Sequence, residues 1–126
     1  MSLVFALFIA LLIKHYFADF VFQPAWMLSS KGSLTAPGGY AHAAFHAAGS
    51  GALVLIAGVP AGAVLTIMAA EFVVHFLIDF AKDRITEKSS AEGKPSLYWQ
   101  LHGFDQLLHQ LTYVGITYYA MISLMA

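Results

Sequence analysis

Four hydrophobic segments, each about 20 residues long, take up most of this sequence and limit the folds open to it. We predict transmembrane helices over residues 3–22, 40–59, 61–82 and 97–124. A helix satisfies its own backbone hydrogen bonds, which the interior of a bilayer requires. The chain is therefore predicted to be all-α, a single integral membrane domain over residues 1–126 that folds as a four-helix transmembrane bundle.

The composition also indicates a membrane protein. Hydrophobic residues make up 60% of the chain and charged residues only 10%, and the mean hydropathy is +0.73, all far from the averages of soluble domains. The net charge of -1 gives no sign of nucleic-acid binding. The chain has no cysteine, so any metal must be bound by nitrogen and oxygen atoms.

Lysine and arginine are unevenly distributed among the connections between these segments. Lys31 lies in the first loop, residues 24–39, whereas the tight hairpin at residues 58–62 and both termini have no basic residue. In or beside the third connection, residues 83–96, lie Lys82, Arg84, Lys88 and Lys94. The positive-inside rule predicts that both loops are cytoplasmic and that the N and C termini lie on the non-cytoplasmic side.

Every predicted helix carries histidine or carboxylate residues spaced four apart. Residues at this spacing share one face of a helix, so each helix has one polar stripe. The candidate metal ligands are His15, Asp19, His42, His46, Glu71, His75, Asp79, Asp105 and His109. At a rise of about 1.5 Å per residue, the common layer lies roughly 9–12 Å below the cytoplasmic interface and contains His15, His46, His75 and Asp105. The stripes are therefore expected to meet in the cytoplasmic half of the bundle.

Such a cluster inside a membrane favours a metal site over a purely structural polar network. A charged side chain at the bilayer centre costs at least about 2.5–3.5 kcal/mol on insertion scales, whereas neutral polar residues can join helices. Divalent cations neutralise carboxylates and bind neutral imidazole, so the carboxylates would need no lysine partners. Because the candidates outnumber the ligands of one ion, we predict two divalent ions of zinc, iron or manganese.

Four further residues are predicted to orient the ligands, bound water or substrate. They are Gln23, His102, Gln106 and Gln110. His102 begins the last predicted helix near water and is the weakest candidate among the histidines. Lys14 is interpreted as a residue that snorkels to the interface or balances charge.

The motifs resemble a family of small uncharacterised inner-membrane proteins of bacteria and their phages, classed as a domain of unknown function. The resemblance covers almost the whole chain and rests on Lys14-His15-Tyr16-x-x-Asp19-Phe20-x-x-Gln23, His42-x-x-x-His46, Glu71-x-x-x-His75-Phe76-x-x-Asp79 and Asp105-Gln106-x-x-His109. His102 and Glu92 lie outside this pattern. The resemblance implies a multi-pass protein of the bacterial inner membrane and supplies no activity. More loosely, the arrangement is similar to membrane-bound proteins described as predicted metal-dependent hydrolases.

One hypothesis for the function is metal-dependent hydrolysis of a lipid or phosphoester substrate. The ions would activate water, and Glu71 or Asp79 would act as the general base if it does not bind metal. The sequence assigns no catalytic residue beyond these two candidates.

The alternatives are transport of a metal ion or proton, and a structural role in which metal staples the bundle. Few polar residues occupy the non-cytoplasmic halves of the predicted helices, which disfavours transport. Haem ligation by His46 and His75 is a further alternative, which the surrounding carboxylates disfavour. The lipid bilayer is the expected partner. Small residues in segment 43–51 would also permit close packing in a homo-oligomer.

Overall fold

The computed structural model describes residues 2–126, and every regular element in this range is helical. The α-helices are α1 (Leu3–Tyr16), α2 (Ala25–Leu28), α3 (Pro37–Ile56), α4 (Ala61–Ser89) and α5 (Pro95–Met125). A π-helical turn, Phe17–Val21, extends α1, and a 3₁₀ turn, Ala91–Gly93, precedes α5. The prediction of an all-α fold is confirmed.

Two of the helical stretches are long and apolar enough to cross a membrane. They are α1 together with its π-turn, Leu3–Val21, and α4, Ala61–Ser89. Both stretches meet this criterion by their length and composition alone. The other two predicted spans correspond to α3 and α5. A bundle with four membrane crossings therefore stays a prediction.

The connections differ from the predicted loops in two places. α4 continues to Ser89, so the prediction of a loop beginning at residue 83 is wrong. Lys88 and Glu87 have good helix propensity, and the helix ends only where Ser90 takes up a left-handed φ of 51°. The first loop contains the short helix α2. The hairpin between α3 and α4 lies where it was predicted, and Gly58 turns it with a φ of 90°.

The four long helices form a ring in which α1 and α4 each pack against α3 and α5. At one end of this ring the core is apolar and includes Leu7, Leu11, Val54, Val64, Ile67, Ile116 and Ala120. Toward the other end the same helices bury histidine and carboxylate side chains. The fold therefore separates an apolar half from a polar half.

The short helix α2 packs so closely against the start of α3 that Gly38 has no room for a side chain. A Cβ atom on Gly38 would overlap the hydroxyl oxygen of Ser30 and the carbonyl oxygen of Trp26. We expect Gly38→Ala to lower the free energy of unfolding by about 1–3 kcal/mol, the usual cost of overpacking. Denaturant unfolding in detergent, followed by circular dichroism, measures this change.

Gly103 in α5 provides the matched control because a Cβ atom there would meet no other atom within 4 Å. Gly103→Ala should be neutral or stabilise the protein by up to about 1 kcal/mol, since alanine has the higher helix propensity. Equal effects of the two substitutions would contradict the close packing at Gly38.

Candidate metal centre

Six of the nine predicted metal ligands form two adjacent groups that are tight enough to hold metal ions. Asp19, His42, His46 and His75 make up the four-residue group, and His75, Asp79 and His109 make up the three-residue group. Within each group, one potential ligand atom per residue lies within 4.8 Å of all the others. His75 belongs to both groups, which places the two candidate ion positions next to each other.

The separations around Asp79 match those between ligands of a common ion. With metal–ligand bonds of about 2.0–2.2 Å, two ligand atoms of a tetrahedral site lie roughly 3.3–3.6 Å apart. Asp79 Oδ2 lies 3.4 Å from His75 Nε2 and 3.5 Å from His42 Nε2. Asp79 Oδ1 lies 3.6 Å from His109 Nε2. These contacts are too long for good hydrogen bonds.

Three imidazole nitrogens that face the carboxylates are buried and have no hydrogen-bond partner among residues 2–126. This holds for Nε2 of His42, His75 and His109, and each of these residues is only 1% exposed. His42 Nε2 lies 3.0 Å from Asp19 Oδ1, but this contact lacks hydrogen-bond geometry. Leaving a buried polar group unpaired costs about 1–3 kcal/mol. The donor set therefore fits a divalent cation, which would satisfy several nitrogens at once.

The π-turn positions Asp19 at the centre. In this turn the Phe22 N–H donates to the Phe17 carbonyl oxygen at 2.8 Å, so the turn contains one residue more than an α-helical turn. Asp19 Oδ1 lies 3.0 Å from Nε2 of both His42 and His46. The π-turn thus carries the carboxylate that lies between His42 and His46.

His15 and Gln106 lie beside Asp19 and hold its second oxygen. His15 Nε2 is 3.2 Å from Asp19 Oδ2 and 3.0 Å from Gln106 Oε1. The Gln106 amide donates to Asp105 Oδ2 at 3.1 Å and to Asp19 Oδ2 at 3.4 Å. Asp105 Oδ1 is 3.8 Å from His109 Nδ1. His15 and Asp105 therefore border the two groups without belonging to either.

Glu71 lies apart from both groups and pairs with a lysine. Lys14 Nζ is 2.8 Å from Glu71 Oε1, 3.1 Å from the Tyr113 hydroxyl and 3.3 Å from His46 Nδ1. The expectation that the carboxylates need no lysine partners is wrong for Glu71. Lys14 balances charge inside the bundle and does not snorkel, since its side chain is only 12% exposed.

Sequence reasoning missed Tyr113, although its position gives a signal. It lies four residues after His109 on the same face of α5, is 1% exposed, and its hydroxyl is 3.0 Å from His15 Nδ1. This i, i+4 spacing continues the polar stripe that Asp105 and His109 begin. The sequence alone does not single out Tyr113, because a tyrosine ring suits an apolar core equally well.

Sequence reasoning also missed the role of Lys31, which was used only to predict topology. Lys31 Nζ is 2.8 Å from Asp79 Oδ2, and the residue is 8% exposed. Asp79 is therefore a second carboxylate with a lysine partner, again contrary to expectation. No spacing rule identifies this contact, because a loop brings the lysine over the centre.

The remaining predicted residues lie at or beyond the edge of the centre. The Gln23 amide donates to the backbone carbonyl of Asp19 at 2.8 Å. His102 packs among aromatic rings, with its centroid 6.3 Å from that of Tyr98. Gln110 is exposed on α5. These placements give Gln23 a contact with the backbone of a candidate ligand and leave His102 and Gln110 outside both groups.

Fold and site together define an all-helical protein with two adjacent His/Asp groups that are capable of holding metal ions. The chain belongs to the family described as Protein of unknown function (DUF3307), whose model matches residues 7–126. The predicted membership of a family of unknown function is thereby confirmed. No curated protein and no solved structure matches the chain.

Proposed function

We propose that this chain is an integral membrane protein of the bacterial inner membrane that binds two divalent metal ions inside a bundle of four transmembrane helices. Both termini lie on the non-cytoplasmic side, and the metal centre occupies the cytoplasmic half. The apolar outer surfaces of the helices support the membrane placement, because Phe45 and Leu55 of α3 and Leu111 of α5 are 47%, 58% and 55% exposed. Such surfaces suit contact with lipid.

The observation that carries metal binding is the convergence of buried, unpartnered imidazole nitrogens on two aspartates. Hydrogen bonding alone accounts poorly for this arrangement, since the contacts of Asp79 with His42, His75 and His109 measure 3.4–3.6 Å. Zinc, iron and manganese all accept such nitrogen and oxygen ligands. Haem does not fit between His46 and His75, whose rings stack with centroids 3.8 Å apart.

Transport is less well supported than binding. Beyond the Lys14–Glu71 pair the bundle core consists largely of packed apolar side chains, including Leu11, Val54 and Ile67. An ion crossing the membrane needs polar groups or water along its path. The arrangement instead suits a centre that exchanges ions and substrate with one side only.

We further propose that the centre hydrolyses phosphoester or lipid head-group substrates. The three-residue group has the ligand count of a catalytic site, in which one coordination position is left for water or substrate. A divalent ion bound there would activate water and polarise a phosphoryl oxygen. Glu71 is unsuited to act as the base because Lys14 holds it at 2.8 Å. Asp105 is better placed, since its buried Oδ1 has no hydrogen-bond partner among residues 2–126 and lies 3.8 Å from Nδ1 of His109, the ring whose Nε2 faces Asp79.

Metal analysis and a hydrolysis assay test this proposal together. We expect protein purified in detergent without a His-tag to contain about two metal equivalents by mass spectrometry, one for each group. In phospholipid micelles, Asp105→Asn should lower the rate of phosphoester hydrolysis by about 10²–10⁴-fold, the usual contribution of a general base. Its metal content should stay unchanged, because Asp105 belongs to neither group.

Gln110→Ala is the control, since Gln110 is exposed on the same helix and should affect neither measurement. Bound metal without hydrolysis of any phosphoester or lipid substrate would favour the structural alternative, in which metal staples the bundle. Folded wild-type protein that takes up no zinc, iron or manganese would overturn the proposed centre.

A further inference from the structure

A polar cavity of about 680 Å³ lies beside the loop that carries Lys31. The loop contributes Ser29, Gly32 and Ser33 to its wall, and the end of α4 contributes Asp83 and Thr86. Asp83 follows Asp79 by four residues, so the two residues are separated by one helical turn, a rise of about 6 Å along α4. The cavity therefore lies one helical turn beyond Asp79, and Lys31, which contacts Asp79, directly precedes Gly32 in the cavity wall.

The acidic residues that lie outside the core all line this cavity. Asp19, Glu71, Asp79 and Asp105 lie inside the bundle, and the other acidic residues of the chain, Asp83, Glu87 and Glu92, all line the cavity. Arg84 lies 3.3 Å from Glu87 and offsets its charge. Asp83 and Glu92 form no ion pair within the described chain. Their carboxylates would attract cations toward the centre.

The contact between Lys31 and Asp79 is incompatible with a metal ion on the same oxygen. Lys31 Nζ lies 2.8 Å from Asp79 Oδ2, the oxygen that also faces His42 and His75. An ion bound to Oδ2 at about 2.0–2.2 Å would lie next to the ammonium group, and the two positive charges would repel each other. One cation must leave when the other arrives.

We propose that divalent cations reach the three-residue group through this polar cavity and displace Lys31 from Asp79. The displaced ammonium moves to Asp83, one helical turn away, where it faces the cavity. A Cβ atom on Gly32 would lie 3.2 Å from Asp83 Cβ, so the loop already contacts this turn of α4 and the lysine side chain alone has to move. This inference rests on the proposed metal centre.

Metal titration of stripped protein in detergent tests the displacement. Lys31→Met removes the ammonium group and keeps most of the apolar stem, so it should bind the second equivalent of zinc or manganese at least tenfold more tightly than the wild type. Lys31→Arg keeps the charge and should bind it no more tightly than the wild type. Lys88→Met, on the exposed surface of α4, should leave both affinities unchanged.

The rate of metal uptake tests the route and does not depend on a buried substitution. The double variant Glu87→Gln/Glu92→Gln, which keeps Asp83 for the displaced lysine, should take up metal three- to tenfold more slowly at low ionic strength and reach the same final content. Added salt should reduce the difference, because it screens the attraction. Equal uptake rates in the two proteins would overturn the route, and equal second-ion affinities of Lys31→Met and wild type would overturn the displacement. A wild type without metal would overturn the proposed function and this inference together.

Discussion

His75→Ala should remove most of the bound metal, which is the largest effect we expect of any single substitution at the centre. His75 is the one residue common to both ligand groups. Its loss leaves two ligands in the three-residue group, too few to hold a zinc ion tightly, and it weakens binding at the four-residue group by removing one of its four ligands. Mass spectrometry of the purified variant should show a decrease from about two equivalents to less than one.

His102→Ala is the matched control for this experiment. His102 is also a histidine on a long helix, but it packs beside Tyr98 and belongs to neither group. The variant should retain the metal content of the wild type. Loss of metal from both variants would point to a general effect on folding, and retention of two equivalents by His75→Ala would show that the ions bind elsewhere.

Lys14→Met should destabilise the protein more than the loss of any lysine on its surface. Its partner Glu71 is 1% exposed and would keep an uncompensated charge inside the bundle. Breaking a buried ion pair in this way costs about 3–5 kcal/mol. The double variant Lys14→Met/Glu71→Gln should recover much of the loss because no buried charge is left without a partner. Denaturant unfolding of the single and double variants in detergent measures both effects.

Lys88→Met serves as the control because Lys88 is exposed and forms no ion pair within the described chain. Its free energy of unfolding should stay within about 0.5 kcal/mol of the wild type. A double variant as unstable as the sum of its single variants would indicate that Lys14 and Glu71 contribute independently, contrary to the 2.8 Å contact.

Helical periodicity made the central part of the site predictable. The spacing of His42 and His46, and of His75 and Asp79, fixes their side chains on one face of a helix whatever the tertiary structure. Apolar side chains on the remaining faces predict helices, and a common depth predicts that the stripes meet. These local rules place all six residues of the two groups in the predicted set, and they equally select His15, Glu71 and Asp105, which belong to neither group.

Contacts that depend on loops and on irregular turns could not be predicted in the same way. Lys31 reaches Asp79 because the first loop folds over the centre. The sequence around Lys31 contains no pattern that predicts this conformation of the loop. The sequence does not predict the π-turn at Phe17–Val21 either, because Asp19 follows His15 by the four residues expected of an α-helix. Hydropathy likewise predicts the apolar part of α4, and it misses the polar turns that continue the helix to Ser89.

The place of His75 in both ligand groups has a thermodynamic consequence for the two proposed ions. An ion that binds the His75 imidazole changes the orientation and polarisation of the ring, or makes it unavailable to the second ion. The occupancies of the two positions therefore cannot be independent. Linkage is reciprocal: whatever factor the first ion imposes on the affinity of the second, the second imposes on the first. Binding isotherms should therefore deviate from those of two independent sites. The size of that deviation measures the coupling free energy between the two positions that share His75.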